Sequence, residues 1–62
     1  MRSFEVPADN YFCVVSGNQI KKIDCNKKPV LRECLKFAKK GFYSELWYCY
    51  TDGSQLLIDF WN

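Results

Sequence analysis

Four cysteines, Cys13, Cys25, Cys34 and Cys49, stand in a 62-residue chain that has no histidine. A thiolate can attack a substrate, ligate a metal or close a disulfide, so these four residues bound the chemistry open to the protein. Zinc is disfavoured by spacing. The cysteines are separated by eleven, eight and fourteen residues, whereas a four-thiolate site uses closely spaced pairs such as C-x2-C. Four cysteines would allow three disulfide pairings. Against this, Met1 to Pro7 contains no apolar signal region, and nothing later reaches membrane-spanning length. The expectation is a cytoplasmic, intracellular chain without a membrane partner, its thiols reduced, with one or two disulfides as the alternative. Cys13 lies between Phe12 and Val14, and Cys49 between Tyr48 and Tyr50, the setting of a small buried hydrophobe.

Catalysis finds little support. Without histidine the usual general base near neutral pH is missing. Cys34 falls on the inner arc of a helix, which leaves Cys25, close to Lys27 and Lys28, as the least improbable reactive thiol. The three glycines are isolated, so there is no phosphate-cradling loop. The seven carboxylates are scattered, and the register derived below puts Glu45 and Asp59 on opposite faces, which argues against a paired acid–base site. No catalytic, cofactor-binding or metal-ligating residue is assigned, and a non-enzyme without cofactor is expected.

The elements follow from periodicity and turn chemistry. Residues 11–16 are β-branched and aromatic and read as a strand. Gly17-Asn18 suits a two-residue type II′ loop, from which residues 19–24 return, with Val15 facing Ile20 and Phe12 facing Ile23. That register leaves apolar pairs on both faces, which calls for a bulge or for cover on both sides. Residues 29–40 form an amphipathic helix. Pro29 opens it, Gly41 follows it, and Lys39 and Lys40 complement its C-terminal dipole. Val30, Leu31, Cys34, Leu35, Phe37 and Ala38 share one arc, and Arg32, Glu33, Lys36, Lys39 and Lys40 the opposite one. Asp52-Gly53 marks a second hairpin over 42–61 with a type I′ turn. Its register pairs Cys49 with Leu56, Trp47 with Ile58 and Glu45 with Phe60 on the face expected to form the core. Tyr50 with Gln55, Tyr48 with Leu57, Leu46 with Asp59 and Ser44 with Trp61 then form the face expected to meet solvent. Residues 1–10 are an extended N-terminal segment, in which 2–6 could add an edge strand before Pro7.

One domain over 1–62 is therefore expected, of α+β class and ββαββ order, with one helix across a largely antiparallel four-stranded sheet. The order resembles, in its elements alone, the β-grasp arrangement of small bacterial antibody-binding domains.

Two surfaces could meet a partner. Eight of the nine basic residues fall between Lys21 and Lys40, opposed there only by Asp24 and Glu33; Arg32, Lys36, Lys39 and Lys40 are the part on the outer helix. Seven of the eleven aromatics lie after Gly41, and Tyr48, Tyr50, Leu57 and Trp61 make up the aromatic hairpin face. Tyrosine and tryptophan are enriched at interfaces, and this hairpin has no basic residue to hold a nucleic-acid backbone between its rings. The reading is a non-catalytic protein-binding module, an accessory regulator or inhibitor of the kind phages or mobile elements encode. It would dock through the hairpin, while the helix steers it to an acidic region of its partner. The alternatives are a nucleic-acid-binding domain using the helix and a homodimeric structural module. A net charge of +2 and a pI near 8.4 are modest for a nucleic-acid binder.

Overall fold

The computed structural model describes residues 6–62. Strands β1 (Tyr11–Ser16) and β2 (Gln19–Asp24) form the first hairpin, α1 (Lys27–Lys39) follows, and β3 (Ser44–Cys49) and β4 (Gln55–Trp61) form the second. The strands join in one sheet of order β2-β1-β3-β4 with every neighbouring pair antiparallel. The sequence-based α+β architecture is thus observed. The edge strand expected over 2–6 lies outside the described residues except for Val6, which is in no strand.

The helix starts two residues earlier than its composition suggests. Pro29 is its third residue rather than its first, which is tolerated because the first four backbone N–H groups of a helix have no intrahelical acceptor. Asn26 precedes the helix without a side-chain cap; its own N–H donates to Asp24 Oδ1 at 2.8 Å. The C-terminal end is as anticipated. Gly41, at φ +85°, donates to the Ala38 carbonyl at 3.0 Å, and Phe42 donates to that of Phe37 at 3.0 Å. These two bonds make a Schellman motif.

Both hairpins depart from simple registers. Gly17 and Asn18 have φ of +61° and +62°, so the first loop is type I′ and not II′; asparagine tolerates the left-handed region that this requires. Val15 pairs with Ile20 as expected, but Lys21 is an extra residue, so Cys13 rather than Phe12 pairs with Ile23. In the second hairpin Tyr50 N–H donates to Ser54 O at 2.9 Å and Gly53 N–H to Tyr50 O at 3.1 Å. The loop is therefore three residues, 51–53, with Gly53 at φ +94° as its left-handed member, rather than type I′. This moves the inner register by one: Cys49 pairs with Gln55, Tyr48 with Leu56 and Trp47 with Leu57. A bulge at Ile58 restores the expected pairs of Leu46 with Asp59, Glu45 with Phe60 and Ser44 with Trp61.

The core lies between the helix and the central strands β1 and β3. Val14, Val30, Cys34 and Leu46 are buried together, with Phe12, Leu31, Phe37 and Trp61 packed around them. Val14 and Leu46 are cross-strand partners, and Val30 and Cys34 come from the helical stripe. Leu35, at the margin of that stripe, is 45% exposed. Two buried serines fix the spacing. Ser44 Oγ donates to the Cys34 carbonyl at 3.1 Å, and Ser16 Oγ donates to the Tyr43 carbonyl at 2.7 Å.

This reverses the face expected to be the core. The helix covers the side bearing Ser44, Leu46 and Tyr48, and leaves the side bearing Glu45, Trp47 and Cys49 without it. The hairpin pairs misled because β4 is an edge strand. The centre of the sheet is the β1–β3 contact, where Val14 and Leu46 meet and small Ser44 lets the helix approach.

Candidate docking surface

Cross-strand pairing places side chains in rows, because directly opposite residues share a face. On the face away from the helix, Ile20, Val15, Glu45 and Phe60 form one row across all four strands. Ile23, Cys13, Trp47 and Leu57 form the next, and Tyr11, Cys49 and Gln55 the third. The bulges create these rows. Ile20 and Ile23 are three residues apart, as are Leu57 and Phe60, and in an uninterrupted strand such residues point to opposite faces. The extra residues Lys21 and Ile58 bring each pair to the same side. No helix or strand among the described residues lies over the result, and Phe60, Ile20 and Leu57 are 56%, 43% and 39% exposed.

Small residues among large ones make the surface concave. Cys13 and Cys49 are buried, with their sulfurs 3.6 Å apart. They lie in a depression of about 220 Å³ that is also lined by Tyr11, Val15, Ile20 and Trp47. All four cysteines are free thiols. Burial, reinforced by the neighbouring Cys49 thiol, pushes Cys13 up to about 12, so at neutral pH it is an apolar filler and no nucleophile.

Glu45 is the only charged residue in the three rows. Trp47 Nε1–H donates to its Oε1 at 3.0 Å, and the Tyr43 hydroxyl donates to its Oε2 at 2.7 Å. These two bonds, Trp47 first, hold the carboxyl below its ordinary range, and the accepted bond raises Tyr43 in turn. The Tyr43 and Phe60 rings lie 6.3 Å apart. Glu45 thus sits among Tyr43, Trp47 and Phe60. It also borders a second depression of about 470 Å³, formed with Val15, Lys21, Phe37, Phe42 and Tyr43.

The residues singled out from sequence do not share one surface. Tyr48 is on the helix side, 4.6 Å from the Phe12 ring and 5.0 Å from that of Tyr50. Trp61 packs on the core, while Leu57 is on the open face. Arg32, Lys36, Lys39 and Lys40 are all exposed on the helix, and Lys36 approaches Glu33 at 3.8 Å. That basic arc and the open apolar face lie on opposite sides of the sheet. Sequence reasoning missed Val15, Ile20, Glu45, Trp47 and Phe60 as surface residues. One signal was available: Tyr43, Glu45 and Trp47 alternate, which in a strand sets a carboxylate between two aromatic donors on one face.

No protein-family model, no curated protein and no solved structure matches the chain.

Proposed function

We propose that the chain is a non-catalytic protein-binding module that docks through the sheet face opposite its helix. The observation that carries this is the pair of adjacent rows, Ile20-Val15-Glu45-Phe60 and Ile23-Cys13-Trp47-Leu57, which run across the whole sheet with one charge between them. Contiguous exposed apolar area of this kind marks an interaction site, and large rings around a depression suit the anchor-and-pocket form of protein hot spots. A nucleic-acid strand fits this face poorly, because its one charge is an anion. The basic helix lies on the far side and cannot join the same flat contact. The role that follows is an accessory regulator or inhibitor that acts by occupying an apolar surface of its partner.

The test compares variants against one purified partner, first captured from the native host. Phe60→Asp and Leu57→Asp, both at exposed positions of the edge strand, should each weaken Kd about tenfold or more, the loss of at least one anchor. Lys36→Glu combined with Lys39→Glu should leave it nearly unchanged. Binding lost with the helix variant and kept with both sheet variants would refute the proposal. A concentration-dependent dimer dissolved by Phe60→Asp would assign the face to a second copy of the chain instead.

A further inference from the structure

We infer that Glu45, with Tyr43, Trp47 and Phe60 around it, is a receptor for an arginine guanidinium presented by the docking partner. This rests on the docking face proposed above and names the chemistry at its centre. An apolar face that docks on protein must desolvate whatever lies within it, and a carboxylate so buried is unfavourable unless a cation meets it. Glu45 stands in mid-row between Val15 and Phe60, where contact with a partner would cover it. Among the described residues no basic side chain lies within ion-pair distance of it. Lys21, across the larger depression, instead donates to Gln19 Oε1 at 2.8 Å.

The geometry favours arginine over other cations. A carboxylate has about four acceptor positions. Trp47 uses one on Oε1 and Tyr43 one on Oε2, so each oxygen keeps one. Two acceptors side by side match the fork of a guanidinium, which donates two parallel bonds. The donors already in place also fix the carboxylate, so little side-chain freedom is lost when the cation arrives. The rings of Tyr43, Trp47 and Phe60 beside the carboxylate make an apolar surround suited to a cation that is more weakly hydrated than an ammonium.

The experiment titrates the ¹⁵N-labelled full chain with N-acetyl-arginine N-methylamide and follows the Trp47 indole N–H, which is bonded to Glu45. Saturable shifts of that signal with a millimolar Kd are expected, the scale of one small-ligand contact. The citrulline analogue, the same shape without charge, should bind at least about tenfold more weakly, and the lysine analogue should fall between them. Glu45→Gln should abolish the arginine response while the rest of the spectrum is preserved. Equal binding of arginine and citrulline, or an unchanged response in Glu45→Gln, would overturn the inference. Arg2→Gln should give the same Kd; a clearly tighter one would show that the chain's own arginine holds the site, and would overturn assignment to a partner. No arginine response, with partner binding still lost in Phe60→Asp, removes the cation site and leaves the docking face standing. An arginine response with partner binding unaffected by Phe60→Asp overturns the docking face, and with it the partner's guanidinium.

Discussion

Leu46 and Phe60 test which face of the sheet holds the domain together. Leu46 is 1% exposed at the centre of the cluster with Val14, Val30 and Cys34, whereas Phe60 is 56% exposed on the open side. A buried leucine truncated to alanine costs about 2–5 kcal/mol, as lost transfer free energy and an unfilled cavity. Phe60 has less than half of its surface to lose from contact, so Phe60→Ala should cost about 1 kcal/mol or less. A core of this size supplies only about 3–5 kcal/mol in total. If wild type holds about 4 kcal/mol and Leu46→Ala removes about 3, roughly one molecule in six is unfolded without denaturant. Urea unfolding should therefore be followed by circular dichroism in a fixed concentration of stabilising osmolyte, which keeps the variant's folded baseline in view. With an m-value near 1 kcal/mol/M, a loss of about 3 kcal/mol in Leu46→Ala should lower the midpoint by about 3 M, and Phe60→Ala should lower it by no more than about 1 M. A Phe60→Ala shift equal to or larger than that of Leu46→Ala would refute the placement of the core.

Three further outcomes follow from the same structure. Native protein treated with iodoacetamide at neutral pH should be alkylated once, at exposed Cys25, and four times after denaturation, because Cys13, Cys34 and Cys49 are buried; mass spectrometry of the intact chain and its peptides reads this. Burial raises Cys13 from 9.0 to about 12 and Cys34 from 9.0 to about 11. The folded state therefore holds both protons after the unfolded state has begun to lose them, and stability present below pH 9 is lost as pH rises toward 11–12; urea midpoints should fall over this range, less steeply in Cys13→Ala/Cys34→Ala. Gly53→Ala, at φ +94° in the second loop, should cost about 1–2 kcal/mol, the penalty of a side chain in the left-handed region, although a Cβ there would meet no other atom within 4 Å; the urea midpoint is again the measure.

The helix and both hairpins were legible in the sequence because their signals are local. A stripe ending at Gly41 and turn residues at 17–18 and 52–53 need no knowledge of the rest of the chain. What could not be read is which strands meet in the middle. The β1–β3 pairing joins residues thirty or more positions apart, and neither hairpin taken alone shows that Val14 will lie opposite Leu46. The bulges were hidden for a related reason. A residue added to one strand reverses the faces of everything beyond it, and neither Lys21 nor Ile58 differs in type from an ordinary strand residue. Of the candidate interface residues, Leu57 alone was both named from sequence and found on the open face, and it arrived there through a register shift that the turn residues did not reveal. The exposed lysines of the helix were legible because a helix that packs one stripe must show the other.

The two bulges also bear on what the open face is for. In regular strands Ile20 and Ile23 would divide between the faces, as would Leu57 and Phe60, and each edge would offer half its apolar side chains to the helix. The 13-residue helix centres its packing on Val14 and Leu46 of the central strands, with Trp61 of β4 at the margin. Sending both members of each pair to the other side leaves Lys22 and Asp59 flanking the central pair on the helix side, where the side chains can reach water past the helix. The open side then carries all four large apolar groups around Trp47 and the two buried thiols, two more than regular strands would place there. Stability alone gives little reason to concentrate apolar area where no described element covers it, since Ile20, Leu57 and Phe60 stay 43%, 39% and 56% exposed there. The docking partner proposed above would give a reason, and the Glu45 site inferred for it would add a condition, a positive charge on that partner.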